Sequence, residues 1–270
     1  MKLCLCLHCL CESYDSLPTS GQELFISLPD LRELIKQLQD RGYQFTPIDD
    51  GGDQTVTITF DDGYYNNRLF AELATEYSIP FILFVSAFYL SSGTGFPWLD
   101  ITGQSYDQMH EFDYYAYFGA NAGTAGIPEP DASVRPMTFS ELQTLANSCQ
   151  MEVGCHGYYH QPLSSRFENR LAQERDTSMA ILRGSLNVSP RYFSLANGQY
   201  SKNVMRQLLN SYDKVFTIDG RPVRSNGRVV HRMSLVNPAL GGPLIGQIDS
   251  ALAPARRIKR ALKTTRNLYL

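Results

Sequence analysis

The sequence predicts an α/β fold, a barrel of about seven strand–helix units with an irregular outline. Three observations point there. Short apolar, β-branched runs alternate with amphipathic helical stretches along most of the chain. Such alternation implies parallel strands joined by right-handed crossovers. Polar candidate residues follow several of those strand runs, at the end where α/β barrels carry their chemistry. Hydrophobic residues make up 43% of the 270, enough to fill one large core.

Taken in order, Lys2–His8 reads as the first strand. Leu28–Gly42 reads as an amphipathic helix, with Leu31, Leu34, Ile35 and Leu38 on one face and Gly42 as C-cap. Gln54–Phe60 is a β-branched strand stopped by D-D-G. Arg68–Tyr77 is a helix and Phe81–Ser86 an apolar strand. Ser140–Ser148 is a helix for which Thr138 or Ser140 supplies the cap. Met151–Cys155 is a short strand, and Glu168–Leu186 reads as one long helix. Tyr192–Leu195, Lys214–Ile218 and Val229–Leu235 are strands, with Lys202–Asn210 a helix among them.

Leu90–Arg135 breaks this rhythm. It is rich in Gly, Asp and aromatics, among them Trp98, Tyr106, Tyr114, Tyr115, Tyr117 and Phe118. A connection this long is a lid with aromatic platforms for sugar rings, or a small packed insertion with its own aromatic core. The rest of 1–252 reads as a single domain, followed by a basic tail over 253–270.

Charge narrows the function classes. A net charge of −3 predicts no general attraction to nucleic acid. After Asp249 no acidic residue occurs, while Arg256, Arg257, Lys259, Arg260, Lys263 and Arg266 follow. Ile258, Leu262 and Thr265 share a face in that tail. It reads as an interfacial helix drawn to anionic lipid at about 1 kcal/mol per basic residue, or as a helix packed on the barrel. No run of about 18 apolar residues is present to span a membrane. The N-terminal apolar run is interrupted by His8 and reads as a strand rather than a signal peptide. The expected location is the cytoplasm, with peripheral contact at the inner face of the membrane.

Cys4, Cys6, Cys9 and Cys11 resemble a metal cluster in spacing. Strand alternation puts Cys4 and Cys6 on one face, however, which favours small buried hydrophobes. The chemistry is expected elsewhere. In T-F-D-D-G, Thr59 to Gly63, adjacent carboxylates stand at a strand end. Their repulsion is relieved if one binds a metal ion and the other stays free to accept a proton. A D-G turn with a capping Asp is the alternative. In H-G-Y-Y-H, the i, i+4 spacing of His156 and His160 on a helical turn projects both imidazoles to one side, a metal-ligand arrangement. Two His and one carboxylate leave positions open for water and substrate, as catalytic sites do.

T-F-D-D-G-Y at 59–64 and G-C-H-G-Y-Y-H-Q-P-L at 154–163, about 94 residues apart, resemble the two signature motifs of the NodB-like polysaccharide deacetylases. P-F-I-L-F-V at 80–85, M-T-F-S-E-L at 137–142 and H-R-M-S-L at 231–235 extend the resemblance to about Val236. It implies a deformed (β/α)7-type barrel and a hydrolase acting on C–N bonds other than peptide bonds. The implied reaction removes an N-acetyl group from an amino sugar in a polysaccharide or lipid-linked glycan. Asp62, His156 and His160 would bind a divalent metal, usually Zn2+. Asp61 would be the base toward a metal-bound water, and a backbone N–H around Asn197 would face the oxyanion. The general acid would be His8, in one branch of the family, or His231 in the other; the match of Arg232 to the family's last-strand Arg favours His8. Trp98, Tyr64 and Tyr158 are expected to contact the carbohydrate. Departures are Gly157 where the family has Ser or Thr, L-A-N-G at 195–198 without proline, and only Arg191 as a loose candidate for the base-orienting Arg. A non-catalytic carbohydrate-binding homologue and a deformylase for N-formyl sugars are the alternatives.

Overall fold

The computed structural model describes residues 2–18, 21–50, 52–100, 112–120, 134–218 and 227–253. The basic tail beyond Ala253 and His110 lie outside them. Seven parallel strands close a barrel: β1 (Leu3–Leu7), β5 (Thr55–Phe60), β6 (Phe81–Val85), β7 (Met151–Cys155), β8 (Tyr192–Ser194), β9 (Lys214–Ile218) and β10 (Val229–Ser234). β1 closes the ring by pairing with β5 from Leu3↔Val56 to Leu7↔Phe60 and with β10 at Leu5↔Met233. A short strand β4 (Gln44–Phe45) adds to β5 outside the ring. The pair β2 (Cys9–Cys11) and β3 (Phe25–Ser27), which sequence periodicity did not reveal, forms a separate small parallel sheet.

Strand alternation sorts the core into layers. Leu3, Leu5, Leu7, Val56, Ile58, Phe60, Leu83 and Val85 face the helices. Cys4, Ile82, Phe84, Tyr192, Phe216 and Val230 fill the interior. Gly154 belongs to that interior row, where a Cβ would stand 2.3 Å from the Phe84 ring. The same parity carries His8, Asp61 and His156 inward just past the ends of β1, β5 and β7. The chemistry-bearing end of the barrel therefore follows from register.

The helices follow the expectations and refine one. Leu28–Asp40 is helical, with Ser27 accepting from the Asp30 N–H. Thr138 caps Phe139–Ser148, and Glu141 completes the capping box. Glu168–Leu186 is helical throughout, but not uniformly α-helical: a 3-10 turn at Glu168–Arg170 and a π-helical segment at Gln173–Thr177 precede the α-helix Ser178–Leu186. Among the described residues no helix is long and apolar enough to cross a membrane. The cysteines in this region are free. Burial pushes the Cys4 thiol up to about 12, as suits a small core residue rather than a ligand.

The opposite, N-terminal end of the barrel carries an ion network. Asp49 meets Lys214 at 2.8 Å, Arg191 at 2.7 Å and the Tyr192 hydroxyl. Partial burial pushes this carboxyl up, but Lys214, Tyr192 and Arg191 outweigh it and hold it at about 2. A carboxylate held below its unfolded value stabilises above that value and loses the contribution as pH falls toward 2. Asp49→Asn should therefore lower the melting temperature by a constant amount above about pH 5, and the gap should narrow between about pH 4 and pH 2. Thermal melts of both proteins across that range check it.

Candidate metal centre

T-F-D-D-G leaves β5 through a tight turn. Asp62 takes φ +73° and Gly63 φ +90°. Left-handed backbone is tolerated by Asp and suited to Gly, and a Cβ on residue 63 would meet Val85 at 3.0 Å. This turn separates the two carboxylates. Asp61 stays inside the barrel and Asp62 swings toward the loop after β7.

That loop is H-G-Y-Y-H, and it is not a helical turn as its spacing suggested. Gly157 has φ +85° and His160 φ +66°. The turn nevertheless brings the imidazoles together, with ring centroids 4.7 Å apart. Nε2 of His156 and Nε2 of His160 each lie 3.3 Å from Asp62 Oδ1. All three residues are buried. Oδ1 of Asp62 makes no hydrogen bond of normal geometry, nor does Nδ1 of His160. Ligands bound at about 2.0–2.1 Å to one tetrahedral ion stand roughly 3.3–3.4 Å apart. The donor set, its spacing and its orphaned oxygen thus fit a divalent cation.

The surroundings orient these side chains. Nδ1 of His156 sits 2.9 Å from the Ser194 carbonyl, which leaves the Nε2 lone pair, 3.3 Å from Asp62 Oδ1, for a cation. Trp98 stacks on the His160 ring at 4.3 Å, and Tyr114 meets it edge-on at 5.9 Å. Burial lowers His160 to about 3 against the pull of Asp62, with the neighbouring His156 pushing the same way as burial. Burial pushes Asp62 up, but His160 and His156 outweigh it and keep the carboxylate ionised.

Asp61 is clamped from below. Arg232, fully buried on the interior face of β10, donates Nη1 to Oδ1 and Nη2 to Oδ2, both at 2.7 Å. Arg232 also donates to Thr59 Oγ1 at 3.0 Å and Ser194 Oγ at 2.7 Å, while Phe84 and Phe216 flank its guanidinium. Oδ2 of Asp61 accepts in addition from Ser194 at 3.3 Å and Cys6 at 3.6 Å. Burial would raise the Asp61 carboxyl, but Arg232 and then His156 outweigh it and hold it well below the usual range. Arg232, not Arg191, is the arginine on Asp61. Arg191 lies at the start of β8, on the far side of the barrel, paired with Asp49 and Asp213. A charged residue in an otherwise apolar interior row was the available sequence signal for Arg232.

The other candidates separate. His8 is half-buried, and its ring nitrogen lies within 4.8 Å of ligand atoms of both Asp61 and Cys6. His231 takes the opposite parity to Arg232 on β10, so its side chain leaves the barrel interior. Asn197 has φ +50° in the turn after β8, three residues beyond Ser194. Tyr64 is wholly buried and cannot reach a carbohydrate. Its hydroxyl accepts from the Trp98 indole at 2.7 Å. Trp98 in turn is hemmed by Phe96, Tyr89, Tyr114 and His160, so it braces His160. Tyr158 is half-buried against Phe88 and Tyr159. The described part of the insertion is thus a packed aromatic core around the site. Sequence reading missed Ser194 and Glu174. Glu174 explains Gly157, because a Cβ there would stand 2.2 Å from its carboxylate.

A family model described as polysaccharide deacetylase matches residues 49–215. Among solved structures, the chain resembles a de-N-acetylase from Aggregatibacter actinomycetemcomitans, at 16% identity and TM-score 0.65, over 92% of this chain and 99% of that one. It resembles IcaB from Ammonifex degensii at 19% identity and TM-score 0.63, over 92% and 96%. The BpsB deacetylase domain from Bordetella bronchiseptica follows at 15% identity and TM-score 0.60, over 86% and 95%. At these identities the likeness is one of fold. No curated protein matches the sequence.

Proposed function

Since the chain belongs to the polysaccharide deacetylase family, we propose that it is a metal-dependent carbohydrate N-deacetylase, with Asp62, His156 and His160 holding the ion. One observation carries the reading: a buried carboxylate oxygen, Asp62 Oδ1, stands 3.3 Å from two imidazole nitrogens, with a second ionised carboxylate beside them. Zinc is the metal that this nitrogen and oxygen donor set suits.

When bound, such an ion polarises the amide carbonyl and acidifies water. The chain's own residues do the rest. Asp61 accepts the proton lost by the attacking water. Oδ1 has acceptor capacity for it, because Arg232 is its hydrogen-bond donor and the other contacts fall on Oδ2. Arg232 keeps the carboxylate ionised and fixes its plane. The backbone N–H at Asn197 stabilises the negative charge that develops on the carbonyl oxygen. His8 then protonates the leaving nitrogen as the C–N bond breaks, which gives acetate and a free amine. Its place beside Asp61, and the outward parity of His231, support His8 as the acid.

His8→Ala should cut kcat by about 10²- to 10⁴-fold, while His231→Ala should leave it within a few-fold of wild type. Loss of activity in His231→Ala alone would reverse the assignment. The activity itself is tested by acetate release from N-acetylated amino-sugar oligomers. Abolition by a chelator and recovery with Zn2+ are expected. Release of formate from N-formyl sugars but no acetate from acetylated ones would reject the substrate class.

A further inference from the structure

Glu174 is a buried carboxylate, 1% exposed, that the reaction does not use. It sits on the π-helical segment Gln173–Thr177, where the wide turn interrupts the ordinary helical ladder. Such segments recur at functional sites. Its oxygens reach into the loop that bears His160. Oε2 accepts the N–H of Tyr158 at 2.8 Å and of Gln161 at 3.4 Å; Oε1 accepts the N–H of Tyr159 at 3.0 Å. These are amides that a helix would have satisfied internally and that a loop with positive φ at Gly157 and His160 leaves over. The carboxylate therefore does the work of a missing helical turn.

The same group reaches the insertion. The Tyr115 hydroxyl, from the helix Tyr114–Ala120, donates to Oε1 at 2.8 Å. Gln161 adds a second tie: its Oε1 accepts the Tyr114 N–H at 2.9 Å, and its Nε2 donates to the Phe112 carbonyl at 2.8 Å. His160 is thus held from both sides, by Glu174 through the backbone and by Trp98 and Tyr114 through its ring.

We propose that Glu174 is a positioning residue, which fixes the backbone of 157–161 so that His160 Nε2 stays at ligand distance from Asp62, and which locks the Tyr114–Ala120 helix to that loop through Tyr115. The inference rests on the metal reading above and adds a residue that touches neither ion nor substrate. It follows that the insertion is a structural part of the metal centre, and that ordering of its helix and tightness of the metal are coupled.

The test is Zn2+ affinity of the full chain, by competition with a chromophoric chelator, together with the visible spectrum of the Co2+-loaded protein. Glu174→Gln keeps the size but turns one acceptor oxygen into an NH2 that faces donors. Its Kd for Zn2+ should rise by about 10- to 100-fold, with an altered Co2+ spectrum. Tyr115→Phe removes the hydroxyl donor that the helix Tyr114–Ala120 gives to Glu174 and should give a smaller rise with the melting temperature of the apo-protein little changed. Equal affinities and spectra in wild type and both variants would overturn the proposal, even if Glu174→Gln melted lower, because a purely structural brace would act that way. His160→Ala separates the two readings. If wild type binds Zn2+ and His160→Ala does not, while Glu174→Gln binds as wild type does, only the inference about Glu174 fails. If wild type binds no Zn2+, both fail. Should Glu174→Gln not fold, Tyr115→Phe alone decides, since unchanged affinity there removes the link to the insertion.

Discussion

Asp61→Asn is expected to lower kcat by at least about 10³-fold, at the upper part of the range for a general base, while the protein keeps its metal. The substitution preserves shape and one acceptor oxygen. It removes basicity, and it turns the other oxygen into an N–H donor that faces Arg232 Nη2 or Nη1, now 2.7 Å away. The ligands Asp62, His156 and His160 are untouched, so metal content should match wild type. Acetate release and metal analysis on the same preparation check both halves. An unchanged rate would remove Asp61 as base. Loss of metal along with activity would instead make Asp61 part of the ligand set.

Arg232→Met is expected to have the largest effect on stability. Arg232 is fully buried, and its guanidinium answers a carboxylate that is 3% exposed. Removing one partner of such a pair strands the other charge in the barrel interior. That costs about 3–5 kcal/mol, or on the order of 10 °C in melting temperature for a chain of this size. Activity should fall with it, because Asp61 loses both its orientation and the charge that keeps it ionised. Arg232→Lys should recover part of the stability and little of the activity. A single ammonium cannot reproduce two parallel bonds to Oδ1 and Oδ2. Melting curves and kcat for the two variants separate the contributions. A melting temperature within about 2 °C of wild type in Arg232→Met would show that the pair is solvated, against the burial described.

Much of the barrel was legible because β-strand parity is local. The β-branched run at Gln54–Phe60 and the apolar run at Phe81–Ser86 became β5 and β6 within a residue. The same parity explains why D-D-G after one strand and His after another face the same space. What failed was local pattern applied to a loop. H-G-Y-Y-H has helical spacing, yet Gly157 turns left-handed and the amides of Tyr158, Tyr159 and Gln161 go to Glu174. That partner lies 13 to 16 residues away in sequence, so no local window contains it. The helix expected over Glu168–Leu186 widens into a π-helical segment where it carries Glu174. Arg191, the loose candidate for orienting the base, lies at the other end of the barrel. Tyr64 and Trp98 have the composition of sugar platforms, but Tyr64 is buried with its hydroxyl on the Trp98 indole, and Trp98 packs on His160. Aromatic composition alone does not distinguish a ring that packs on a ligand from one that packs on a substrate.

The central claim is that Asp62, His156 and His160 form one metal site on which deacetylation depends. Titration of metal-stripped protein with Zn2+, following bound metal and acetate release from an N-acetylated amino-sugar oligomer together, tests it most directly. Activity should rise in proportion to bound metal and level off at one equivalent per chain, and Asp62→Ala should neither bind that equivalent nor regain activity. Full turnover in the metal-stripped protein, or one tightly bound equivalent in Asp62→Ala, would contradict it.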